Sequence, residues 1–122
     1  MSNTFHNVST NIGALSNAAM PLFKVPAGYG GVTVIGGQCV QRTAGTTLLY
    51  LVEMDSTGAT VAGTLGTFGT VYAVNTPQAA TITGSRSFVD AGNYIGVKEG
   101  NVGAAAAITI VSFQFLNGKA EY

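Results

Sequence analysis

The pattern that most limits what this chain can fold into is its punctuation. From Ala18 onward, short runs rich in Val, Ile, Leu, Thr and aromatic residues are cut at close intervals by turn-forming groups. These are Pro26-Ala27-Gly28, Thr43-Ala44-Gly45, Ser56-Thr57-Gly58, Asn75-Thr76-Pro77, Asp90-Ala91-Gly92 and Gly100-Asn101. Runs of that length, bounded in that way and with no helical pattern between them, predict strands at residues 18–25, 32–40, 47–55, 59–65, 71–74, 80–88, 93–99 and 106–116. About eight short strands without intervening helices point to an all-β, jelly-roll-like β-sandwich. Composition agrees: charged residues are 8% of the 122 and the chain holds 17 glycines. Helix-favouring Glu, Lys, Arg and Gln are scarce beside the β-branched and aromatic residues.

Within the strands the alternation assigns faces. In residues 47–55, Leu49, Leu51, Glu53 and Asp55 share one face, and Leu48, Tyr50, Val52 and Met54 the other. Both faces start apolar, which predicts a strand central in its sheet with a far end that reaches solvent. Ile95 and Val97 oppose Tyr94 and Lys98, and Val111, Phe113 and Phe115 oppose Ile108 and Ile110. The Gly36-Gly37 pair predicts a bulge or bend. Gly63, Gly66 and Gly69 recur at a period of three, without the prolines of collagen or the helix signals of a dinucleotide-binding loop. This stretch reads as a surface loop presenting Leu65 and Phe68.

Residues 1–17 differ in texture. Phe5, Val8, Ile12 and Leu15 fall three to four apart, a spacing that permits a short amphipathic helix, but Asn, Ser, Thr and Gly dominate around them. Isolated helices of this length are marginal in water. The segment is therefore expected to be an extended or partly ordered N-terminal arm (residues 1–17) that gains order by docking onto something else, ahead of a sandwich domain (residues 18–122).

Candidate chemistry is sparse. The single histidine, His6, lies in the arm, far in sequence from the single cysteine, Cys39, and from the acidic residues, so no triad or zinc set is assembled locally. Cys39 sits in an apolar run and reads as a buried, inert thiol. Glu53 and Asp55, at i and i+2, leave one strand face and have the spacing for Ca²⁺ or acid–base work, although solvated strand-end charges are the commoner use of such a pair. Asp90 reads as a turn-setting residue whose carboxylate accepts a backbone hydrogen bond. Arg42, Arg86 and Lys98 are candidates for cross-strand pairing with Glu53, Asp55 or Glu99. Tyr29, Tyr72 and Tyr94 fit either a sugar-binding platform or a subunit interface. No enzymatic activity, cofactor or metal is expected.

Lys+Arg and Asp+Glu are five each, so the net charge is zero, and no two basic residues are adjacent. That argues against a nucleic-acid surface. The chain lacks an apolar run long enough for a membrane helix, and its first residues lack the basic and apolar regions of a secretory signal; synthesis in a cytosol, without export by the usual route, is expected. A neutral surface rich in hydroxyls and amides gives little repulsion between copies and suits a protein packed against neighbours.

Two segments carry a resemblance. Phe23-Lys24-Val25-Pro26-Ala27-Gly28 matches F-x-V-P-A-G ahead of an apolar strand, and Val89–Val97 matches V-D-A-G-[DN]-Y-I-G-V ahead of a long last strand with alternating aromatics. From Phe23 to Leu116 the chain resembles the jelly-roll modules of tailed-phage structural proteins, and most of all capsid decoration (cement) proteins. The resemblance implies a virion component on the capsid surface, bound to the major capsid protein and to itself, with a homotrimer expected, and it carries over no catalytic residue. Phe5, Val8, Ile12, Leu15, Leu65, Phe68 and Tyr72 are the candidate capsid or subunit contacts. The rival reading is a receptor- or glycan-binding domain of a tail fibre or tail tip, with the tyrosines and the Gly63–Gly69 stretch as its contact surface.

Overall fold

The computed structural model describes residues 5–12, 19–41, 47–71, 76–82, 88–99 and 109–117. They form ten strands: β1 (Phe5–Ile12), β2 (Ala19–Lys24), β3 (Val32–Gln41), β4 (Thr47–Met54), β5 (Val61–Val71), β6 (Gln78–Ala79), β7 (Thr81–Ile82), β8 (Phe88–Val89), β9 (Tyr94–Glu99) and β10 (Thr109–Asn117). A single 3-10 turn, Ala27–Tyr29, is the helical element among them.

The antiparallel pairs are nested along the chain. β1 pairs with β10, β2 with β9, β3 with β8 and β4 with β5. Further pairings of β3 with β10 and of β4 with β9 join this folded ribbon into two five-stranded sheets. One runs β1-β10-β3-β6 with β8 also on β3, and the other runs β2-β9-β4-β5-β7. A long antiparallel hairpin wound over itself in this manner is the jelly roll, so the all-β sandwich expected from the punctuation is the fold observed.

The alternation places the core. Val111, Phe113 and Phe115 of β10 and Ile95 and Val97 of β9 are fully buried, while Lys98 is exposed and Tyr94 half-buried. With Val32, Val34, Leu49, Leu51, Leu65, Phe68 and Val89 they fill the space between the sheets. Phe23 of the second sheet reaches Phe115 and Phe113 of the first at ring-centroid distances of 5.1 and 6.2 Å. Such aromatic pairs contribute roughly 0.5–1.5 kcal/mol each beyond the area they bury. As expected, β4 is central, flanked by β9 and β5. The bend expected at Gly36-Gly37 is a bulge one residue earlier: Gly36 pairs with Gln114 and Val34 with Phe115, which leaves Ile35 unpaired and 46% exposed.

Of the N-terminal segment, Phe5–Ile12 are extended, and they dock not onto another molecule but onto this chain's own sheet, along eight consecutive residues of β10. The helical alternative for these residues is thereby excluded.

Candidate functional site

The two segments that carry the resemblance meet at one end of the roll. Val25, fully buried, donates its N–H to the Asn93 carbonyl at 2.8 Å, and its own carbonyl accepts from the Gly92 N–H at 2.9 Å. The Asp90-Ala91-Gly92-Asn93 turn is closed by the Asn93 N–H on the Asp90 carbonyl at 3.1 Å. The bond that sets this turn is thus made by the backbone of Asp90, where the sequence suggested its carboxylate. Gly92 sits at φ +89°, a left-handed backbone that side chains with a Cβ rarely adopt. Pro26 follows Val25 and starts the 3-10 turn, so the chain leaves the latch at a fixed angle.

Glu53 completes this end from β4. It is 7% exposed and accepts hydrogen bonds from Asn93 Nδ2 at 2.9 Å and from the Asp90 N–H at 3.4 Å. A solvated strand-end charge was the expectation; burial follows because residue 53 faces the interior in step with Leu49 and Leu51, and the latch supplies the donors that make a buried carboxylate tolerable. Asp55 goes elsewhere. Its Oδ1 accepts from Thr57 Oγ1 at 2.7 Å, from the Thr57 N–H at 3.1 Å and from the Ala59 N–H at 3.2 Å, and it organises the β4–β5 turn. Hydrogen bonding by Thr57, assisted by backbone N–H groups, holds its carboxyl below the usual value. The two carboxylates therefore serve separate structural ends. Cys39 is fully buried, and burial pushes its thiol up to about 12, the inert group expected. No group of three or more His, Cys, Asp or Glu is gathered among the described residues.

The contact surface expected at Gly63–Gly69 requires correction. Residues 63–70 are not a loop but the middle of β5, and Leu65 and Phe68 are 1% and 3% exposed, inside the core. The reason is three successive bulges. Leu49 faces Gly69 but Tyr50 faces Thr67; Leu51 faces Gly66 but Val52 faces Thr64; Glu53 faces Gly63 but Met54 faces Val61. Phe68, Leu65 and Ala62 are the extra residues, so each three-residue unit of β5 opposes two residues of β4. In a regular strand, positions 65 and 68 would point to opposite faces; the intervening bulge returns both to the interior. Phe68 thereby reaches across to Gly37 of the other sheet, whose Cβ position would lie 3.5 Å from its Cζ. The signal was present as a triplet repeat, Ala62-Gly63-Thr64, Leu65-Gly66-Thr67, Phe68-Gly69-Thr70.

Of the other candidate contacts, Phe5, Val8 and Ile12 stand on β1, with backbone positions opposite Leu116, Phe113 and Thr109. Leu15 and Tyr72 lie outside the described residues, as do Arg42 and Arg86. Beside Tyr94, Lys24 Nζ lies 5.8 Å from the ring centroid, and the Gly58 turn packs against Tyr94 and Pro21. Several positions facing away from the core carry uncharged polar groups, with Gln38, Thr64 and Thr81 exposed and Ser112 and Gln114 half-buried, beside the exposed Lys24, Lys98 and Ile35. No helix among the described residues is long and apolar enough to cross a membrane.

The fold places the chain among jelly-roll β-sandwich proteins. No family model matches the sequence, and no curated protein matches it. Among solved structures, it is similar to a chain described as "Cyanophage Pam1 capsid asymmetric unit", with 16% identity and a TM-score of 0.45, over 94% of this chain and 83% of that one.

Proposed function

We propose that this chain is a virion structural protein, a capsid decoration protein that binds the outer shell of a tailed phage through protein–protein contacts and associates with copies of itself. The observation that carries this reading is the latch. The F-x-V-P-A-G and V-D-A-G-N-Y-I-G-V segments, far apart in sequence, are hydrogen-bonded into one unit at Val25, Gly92 and Asn93, inside a jelly roll. The resemblance thus belongs to a single structural device rather than to two unrelated short matches. Two further features support it. Glu53, Asp55 and Cys39 are engaged in structural roles, and the outward Gln38, Thr64, Thr81, Ser112 and Gln114 present hydroxyls and amides suited to a neutral contact.

The test is co-sedimentation of the purified chain with shells of the encoding phage stripped of it, followed by reconstruction of the particles with and without it. Stoichiometric density on the shell exterior and a higher shell disruption temperature are expected. A chain that stays in the supernatant while the shells are unchanged refutes the proposal, and a specific signal on a glycan array would favour the tail-fibre reading instead.

A further inference from the structure

The sheet edges are finished in different ways. β2 carries Pro21, which offers no N–H, then a bulge before Phe23, and it ends in Lys24. β5 is bent by three bulges against β4, and its outer side is covered at Gly66 and Thr67 by β7. The far side of β3 is covered in pieces by β6 and β8. Short strands, bulges, proline and lysine are the devices by which sheets avoid adding strands from another molecule. β1 has none of them. Phe5–Ile12 keeps an unbroken register with β10, contains neither proline nor a charged residue, and stands at the end of its sheet with no described strand on its other side.

We propose that this open edge is a self-pairing surface: two copies of the chain join their β1 strands antiparallel across a two-fold axis, fusing two β1-β10-β3-β6 sheets into one. The edge spans roughly 26 Å, and alternate residues along it turn N–H and C=O groups outward. A second copy is the occupant that the sequence FHNVSTNI favours. With no Asp, Glu, Lys or Arg in it, no register of self-pairing sets like charges opposite one another, and a net charge of zero keeps long-range repulsion small. An edge that meets its own copy closes at two subunits and leaves neither β1 edge open. The expected threefold association would require another surface. The proposal does not depend on the virion reading.

The test uses the full chain and two charge variants, Asn7→Lys/Asn11→Lys and Asn7→Glu/Asn11→Glu, with circular dichroism to check that each folds. Sedimentation and light scattering are expected to give twice the 12.4 kDa chain mass for the unaltered protein, the single mass for each variant alone, and the doubled mass again when the two variants are mixed. Amide exchange over residues 5–12 of the unaltered chain should slow as concentration rises, a readout that stands even if a variant misfolds. A single mass up to about 0.1 mM, a tripled mass, dimers indifferent to both variants, or exchange at residues 5–12 that ignores concentration each overturns the proposal.

Discussion

Replacing Phe68 with alanine separates the bulged strand from the surface loop that its sequence suggests. Phe68 is 3% exposed and reaches from the second sheet to Gly37 of the first. Truncating a buried phenylalanine removes its transfer free energy and leaves a void between the sheets, a loss of about 3–5 kcal/mol. An unfolding entropy near 2.1 cal/mol/K per residue gives roughly 0.26 kcal/mol/K for a chain of this length. The midpoint should therefore fall by about 12–20 °C, read by circular dichroism or scanning calorimetry. Thr64→Ala, at an exposed position of the same strand, should stay within about 2 °C and serves as the control. In urea the Phe68→Ala midpoint should drop with little change in slope, as expected when stability changes and the surface exposed on unfolding does not. A Phe68→Ala protein that melts within about 2 °C of the unaltered chain would show the ring to be solvated and the three bulges to be wrong.

Three further outcomes follow from the same packing. Gly96→Ala would place a Cβ 2.4 Å from the Met20 carbonyl oxygen and 2.9 Å from Met54 Sδ, so β2 must move off β9; a loss of at least about 2–3 kcal/mol is expected in denaturant titration. The Cys39 thiol should resist alkylation in the native protein and react on unfolding. Because its folded value lies above the unfolded one, its contribution to stability is intact below the ordinary thiol range and is lost as pH rises from there toward about 12; a Cys39→Ala variant should show a shallower alkaline fall in melting temperature. Asp55 has the opposite sign: its folded value is depressed, so its contribution is present above the ordinary carboxylate range and is lost as pH falls below it. Asp55→Asn should flatten the acid side of the melting profile.

Where a strand keeps its period of two, its sequence told its place. Val111, Phe113 and Phe115 alternate with Ser112 and Gln114, Ile95 and Val97 alternate with Tyr94 and Lys98, and the first of each set fills the core. β5 was misread because a bulge in every triplet replaces that period with one of three, and the glycines that permit the bulges also resemble loop punctuation. The burial of Glu53 was hidden for another reason: its donor, the Asn93 amide, lies forty residues away, and no local pattern announces it. The role of residues 5–12 was equally non-local. FHNVSTNI is too polar to declare itself a strand, and β10, nearly the whole chain away, supplies its partner.

Nested pairing also sets an order of events during synthesis. The β4–β5 hairpin can close as soon as its short turn is made, and each enclosing pair then has a smaller effective loop to span. Phe5, in contrast, must wait for Leu116 to be translated and released before it has a neighbour. Of the described strands, the first to be synthesised is thus the last to be seated, and its hydroxyl and amide side chains suit a segment that spends that interval in water.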